Sequence, residues 1–89
     1  MAWRIEFASA AERELAGLDR QVAKRILAFL EGRVAKSDDP RRLGAALRGR
    51  ALGGFWKYRV GDYRIIASLD DGVMLILVLS VGHRREVYR

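Results

Sequence analysis

Residues 56–89 read WKYRVGDYRIIASLDDGVMLILVLSVGHRREVYR, and this stretch decides the fold. Two turn signals divide it. Gly61-Asp62 supplies a two-residue hairpin turn, and Asp70-Asp71-Gly72 supplies a second. The pieces between them predict three strands, at 55–60, 63–69 and 73–81. The first two alternate apolar and polar residues, which is the period of a half-buried strand. The third is almost unbroken in its apolar character, as expected of a strand covered on both faces. Gly82 ends it. Consecutive short turns make the three strands an antiparallel meander, so the basic residues at its two ends come together.

Working outward from the meander, the preceding loop 48–54 is rich in Gly and Arg. Before it, Asp39 fits a helix N-cap and Pro40 a first helical residue, which predicts one or two helical turns over 41–47. Residues 36–39, Lys-Ser-Asp-Asp, form a polar break. Leu15, Leu18, Val22, Ile26, Phe29 and Leu30 recur at steps of three and four and make one apolar helical stripe. Gly17 and Asp19 interrupt it, so the pattern reads as two helices. The first starts at Ser9, where Ser9 and Glu12 have the spacing of a capping box. The second is capped by Asp19 and reaches about Ala35. Residues 3–7, Trp-Arg-Ile-Glu-Phe, alternate as a short opening strand. The order is β-α-α-(α)-β-β-β. That is an α+β fold, a small antiparallel-rich sheet with a helical hairpin packed on one face.

At 89 residues the chain is expected to form one domain, spanning 1–89, with a packed core supported by its 51% hydrophobic content. A domain this small gains from a constitutive partner. There is no cysteine, which removes disulfides, thiolate nucleophiles and Cys-based zinc sites and fits a cytoplasmic location. The N-terminus has no long apolar core of a signal peptide. The longest apolar run, 73–79, is far below the ~20 residues that span a bilayer, so no membrane partner is expected.

The net charge is +6. Residues 1–45 hold nine Lys/Arg against seven Asp/Glu, while residues 46–89 hold eight against four. The second half is thus the more positive, and its cations group near tyrosines. A concave basic face with aromatics suits a polyanion, RNA first.

The single histidine, His83, leaves no Ser/His/Asp grouping, and no phosphate-binding loop or dinucleotide fingerprint occurs. Asp62, Asp70 and Asp71 fall in turns, and Glu86 alone remains near the basic face. Two-metal nuclease chemistry needs several convergent carboxylates, so neither metal nor cofactor is expected. RNA cleavage can do without both. The 2′-hydroxyl attacks the adjacent phosphate once a base removes its proton, and cations stabilise the transition state. Lys57 fits the base, since crowding by cations favours a neutral lysine. Arg59 lies two residues on, hence on the same strand face, with Arg64 across the hairpin. Arg84 and Tyr88 enter from the end of the third strand. Lys57, Arg59 and Arg64 equally fit the solvent-facing half of an amphipathic hairpin, where basic residues deter edge pairing. Tyr58, Tyr63, Trp3 and Trp56 read as packing residues.

Residues 56–66, WKYRVGDYRII, together with residues 79–88, LSVGHRREVY, resemble the RelE branch of the RelE/ParE toxin superfamily. The opening strand, the helix from Ser9, the segment Asp39-Pro40-Arg41-Arg42-Leu43 and Leu47-Arg48-Gly49 are similar to that family too, so the resemblance covers nearly the whole chain. Its members are toxins of bacterial type II toxin–antitoxin systems. RelE-type members cut mRNA in the ribosomal A site, whereas ParE-type members poison DNA gyrase. The resemblance implies a ribosome-dependent mRNA endoribonuclease with Lys57 as base, Arg64 as transition-state stabiliser, Arg84 at the leaving group and Tyr88 orienting the mRNA. Arg59, Arg48, Arg50, Arg85 and His83 would contact RNA or phosphate. Arg59 stands where the best-known pattern has a lysine, which preserves phosphate contact but not proton transfer. The sequence reaches Arg89 one residue after Tyr88, where some relatives continue into a helix, which implies a more mobile Tyr88. A RelB-like antitoxin, the ribosome and mRNA are the implied partners, the antitoxin in a hetero-oligomer. The alternatives are a ParE-like gyrase inhibitor on the same fold and a non-catalytic RNA-binding module.

Overall fold

In the computed structural model, which describes residues 2–49 and 54–86, two helices pack on one face of a five-stranded sheet. Strand β1 spans Arg4–Phe7, followed by helices α1 (Ser9–Ala16) and α2 (Arg20–Phe29). A π-type turn, Leu30–Val34, carries α2 onward through a bond from Ala35 N–H to the Leu30 carbonyl at 2.8 Å. A 3-10 turn, Pro40–Leu43, leads into β2 (Ala45–Ala46), and β3 (Trp56–Val60), β4 (Tyr63–Asp70) and β5 (Leu75–His83) complete the sheet. The strand order is β1-β5-β4-β3-β2, with β1 parallel to β5 and every other pair antiparallel.

The core lies between helices and sheet. Ile26, Leu30 and Val34 descend from the helical side onto Tyr58, Ile65, Ile76, Val78 and Val81, all fully buried or nearly so. Each such side chain contributes roughly 1.5–3 kcal/mol by leaving water. Alternation along β3 and β4 sends Tyr58, Val60, Tyr63 and Ile65 to this face, and Lys57, Arg59, Arg64 and Ile66 to the other. Ile66 is only 5% exposed yet stands outside the core cluster, as its position on the second face requires.

The α+β architecture is the one the sequence predicts, and the meander, the Asp19 cap and the Gly61-Asp62 turn are where they were expected. Asp19 accepts from Gln21 N–H at 3.0 Å, and Gly61 takes φ +58°, a left-handed value that glycine accepts at a tight hairpin.

Three local expectations are corrected. Ser9 is not a cap: the helix begins at Ser9 itself, Ala8 occupies the cap position, and no side-chain capping bond forms. Helical turns over 41–47 stop at Leu43, because Ala45 and Ala46 pair with Lys57 and Trp56 as a fifth strand. The last strand starts at Leu75 rather than Val73, because Met74 takes φ 52° and the chain is still turning there.

The segment before β2 is fastened to the sheet from several sides. Tyr58 hydroxyl donates to the Pro40 carbonyl at 2.9 Å in a buried bond. Arg41 makes a two-pronged pair with Asp71, at 3.0 and 2.8 Å, and lies over the Trp56 ring. The Asp71 hydrogen bond raises the Arg41 pKa, and that same bond holds the Asp71 carboxyl below its ordinary value. At the other side of the sheet, β5 runs past the end of β1. There Glu14 of α1 accepts from Val81 N–H at 3.1 Å, occupying an edge amide that no strand reaches among the described residues.

Candidate nucleic-acid interface

The hairpin β3–β4 sets the geometry of the basic site. Arg59 and Arg64 are paired directly across the ladder, and Lys57 pairs with Ile66 one step further down. Opposed residues have Cβ atoms about 4.5–5.5 Å apart, and like charges so placed repel. Arg64 relieves part of this by folding back: one guanidinium nitrogen donates to the carbonyls of Gly61 and Tyr63, each at 3.0 Å. An anion bound between the two arginines would remove the rest of the repulsion.

Arg84 joins them from the end of β5. Its N–H donates to the Asp62 carbonyl at 2.8 Å, and its guanidinium lies 4.0 Å from the Asp62 carboxylate. The turn thus carries Arg84 opposite Asp62, two residues past Gly82, the partner of Arg64, on the end of the sheet where β3 and β4 meet.

The other sequence-predicted residues divide. His83 pairs with Tyr63, so it lies on the helical face rather than with Arg64; the two rings meet edge to face at 5.7 Å. Its Nδ1 accepts from Arg85 N–H at 3.2 Å, which leaves the Arg85 side chain exposed past the strand end. Arg48 follows β2 at the Trp56 end of β3, away from the Gly61 turn. Arg50 and Tyr88 lie outside the described residues.

Sequence reasoning missed two cations. Arg25 and Arg33 come from the helical side, with Phe29 midway between them. A Cβ built on Gly61 would stand 3.4 Å from the Arg25 guanidinium, so Arg25 reaches the same turn as Arg59 and Arg64. Arg33 lies over the Phe29 ring, 5.8 Å from its centre. The spacing i, i+4, i+8 was the available signal, since it puts the three on one helix face. Two adjoining hollows of about 350 and 400 Å³ follow this stripe, and both are lined by Phe29, Arg33 and Arg59. Among the described residues no group of three or more His, Cys, Asp or Glu could hold a metal ion, and no helix is long and apolar enough to cross a membrane.

Comparison with known proteins adds the following. The chain matches the family model described as ParE toxin of type II toxin-antitoxin system, parDE, over residues 5–88. It is 32% identical over 89 residues to Toxin RelG of Mycobacterium tuberculosis, covering 100% of this chain and 99% of that protein. It is 30% identical over 87 residues to Toxin RelE of the same organism, covering 98% of this chain and 87% of that protein. The toxin in the M. tuberculosis RelBE2 toxin–antitoxin complex superimposes with a TM-score of 0.85 at 30% identity, over 94% of this chain and 100% of that one. A mutant of E. coli toxin RelE in the free state does so with a TM-score of 0.76 at 28% identity, over 99% of this chain and 92% of that one.

Proposed function

Because the chain belongs to the RelE/ParE family of type II toxin–antitoxin toxins, we propose that it is an mRNA endoribonuclease that works on the translating ribosome and thereby inhibits translation. The observation that carries this reading is the pairing of Arg59 across from Arg64, with Lys57 next on the same face and Arg84 tied to the same turn. Like charges held opposite each other on paired strands cost stability, and a bound polyanion offsets that cost.

The reaction follows from those positions. Lys57 takes the proton of a 2′-hydroxyl, and the freed oxygen attacks the neighbouring phosphorus. The bond to the 5′-oxygen breaks, leaving a 2′,3′-cyclic phosphate on one fragment. Arg64 leaves its carbonyl partners to bind the non-bridging oxygens, which gain charge in the transition state. Arg59 holds the same phosphate, and Arg48, Arg50 and Arg85 hold its neighbours. A guanidinium keeps its proton, so Arg84 stabilises the departing oxygen by hydrogen bonding while solvent protonates it. Tyr88 stacks on a base and fixes the strand. This outline uses no metal and leaves His83 out. A site this poor in acids and bases depends on orientation of its substrate, which the ribosome supplies.

Residues 1–89 act as one domain in this reading, in the cytoplasm where mRNA is translated. Relatives of the same fold are seen as toxin–antitoxin complexes, and the partner here is a RelB-like antitoxin that covers the basic face and stabilises the toxin by mass action.

The test is primer extension on a reporter mRNA in a reconstituted translation reaction. Wild type is expected to give discrete cuts that need ribosomes. Arg64→Ala is expected to reduce them about 10²–10³-fold, as loss of one transition-state donor does, and Tyr88→Ala to weaken them. Equal cutting of naked and translated RNA would refute the ribosome dependence. The ParE description of the matching family model favours one other reading, a gyrase inhibitor. Absence of cuts together with a DNA-damage response would establish it instead.

A further inference from the structure

The two hollows beside α2 share a wall and differ in their ends. Phe29, Arg33 and Arg59 line both. The first, of about 350 Å³, adds the apolar side chains of Leu43 and Ala45. The second, of about 400 Å³, adds Arg25 and the Gly61 turn. Each volume is in the range of small-molecule sites, roughly 300–1,000 Å³. Three arginines thus surround the second hollow, and none of the lining residues of either is acidic. Among the described residues Arg25, Arg33 and Arg59 make no ion pair.

Backbone also faces this space. Val60 pairs with Tyr63 across the two-residue turn, so even-numbered residues of β3 bond to β4 and odd-numbered ones point the other way. On that side Lys57 meets Ala45. Leu43 has already left the strand direction in its 3-10 turn, and no strand pairs with Arg59 there among the described residues. The Arg59 N–H and C=O therefore present one donor and one acceptor side by side. The site combines apolar walls, a two-pronged hydrogen-bonding edge and a cluster of cations.

We propose that the two hollows together bind a free purine nucleoside triphosphate, its ring in the first and its phosphates in the second. Phe29, Leu43 and Ala45 wall a space for a flat ring, and a purine covers more of that apolar surface than a pyrimidine does. An amino group beside a ring nitrogen, as in adenine, is a donor next to an acceptor, and it matches the C=O and N–H of Arg59. The phosphates meet Arg25, Arg33 and Arg59 through charge-assisted hydrogen bonds. Three guanidinium groups around one hollow suit charge concentrated on a triphosphate. In an RNA strand the phosphates are spread one per nucleotide, which favours the free ligand. The proposal goes beyond the nuclease reading and does not depend on it.

The test titrates the whole protein with ATP in the presence of EDTA. Purine riboside triphosphate, inorganic triphosphate and an adenosine decamer serve as comparisons. Binding is read by isothermal titration calorimetry and by amide hydrogen exchange. ATP is expected to slow exchange at Arg59 N–H at least tenfold. Purine riboside triphosphate, which lacks the amino group, is expected to bind about fivefold more weakly, the worth of one hydrogen bond. The double variant Arg25→Gln/Arg33→Gln is expected to weaken ATP binding tenfold or more, with an unchanged circular dichroism spectrum. Each single substitution should give an intermediate loss and stands in if the double variant does not fold. Unchanged exchange at Arg59, equal binding by the variants, or inorganic triphosphate binding as tightly as ATP overturns the proposal. So does tighter binding of the adenosine decamer than of ATP, which would make the groove an RNA surface. No ribosome or cleavage enters this experiment, so its failure is distinct from failure of the nuclease reading.

Discussion

Replacing Tyr58 with phenylalanine removes one hydroxyl from the most enclosed polar contact of the fold, and its consequences depend on pH. The hydroxyl donates to the Pro40 carbonyl at 2.9 Å, and the tyrosine is fully buried. At neutral pH the variant loses that buried bond, at a cost of about 1–2 kcal/mol. For a domain of this size that is a fall in Tm of roughly 4–16 °C. Burial also pushes the Tyr58 pKa up from 10.0 to about 12, against a smaller opposing pull from Arg41. In the unfolded chain the phenol ionises near 10. Between those values the unfolded state has shed the proton and the native state still holds it. The stability carried by the neutral phenol is therefore complete below pH 10 and is lost as pH rises through 12. Two pKa units amount to about 2.7 kcal/mol. Urea unfolding of both proteins at pH 8 and at pH 12 reads the difference between them. Groups common to both proteins cancel to first order. Wild type should lead by about 1–2 kcal/mol at pH 8 and trail by about 1 kcal/mol at pH 12. A lead that stays constant over this range would refute the reasoning. The result bears on the site as well, because Pro40 begins the turn that delivers Ala45 to Lys57.

Two further substitutions probe the same framework. Gly44→Ala should destabilise by about 1–3 kcal/mol in urea unfolding, because its Cβ would meet the Lys57 carbonyl and the Tyr58 ring, each at 2.8 Å, and neither is a flexible side-chain end. Glu14→Ala should cost about 1 kcal/mol by the same assay and should speed amide exchange at Val81, whose N–H loses its partner on α1.

The parts of this fold that could be read from sequence are those whose signals are local. Gly61-Asp62 fixes a hairpin and Asp19 accepts from the helix start, so both were legible within a few residues. Ser9 shows the limit, since Ala8 takes the cap position although the Ser9–Glu12 spacing fits. Strand β2 was not legible at all. It consists of two alanines, the best helix formers, and is a strand only because β3 lies beside it. The basic face divides in the same way. Lys57, Arg59 and Arg64 follow from a period of two and one turn. His83 sits one residue past the position that would have joined them, and in a strand one residue changes the face. Arg25 and Arg33 look like solvated helix surface until the tertiary fold brings Arg25 against Gly61.

The parallel pairing of β1 with β5 has a kinetic consequence. Arg4 is registered with Leu75 and Phe7 with Val78, so the first strand to be synthesised has to wait for the last. Contacts between chain ends carry the largest loop-closure cost and form late. At a synthesis rate of about 5–20 residues per second, the nascent chain exists for seconds without the sheet that aligns Lys57, Arg64 and Arg84. A basic surface assembled across such a sheet is incomplete during its own translation. That interval gives a partner made alongside it time to arrive first.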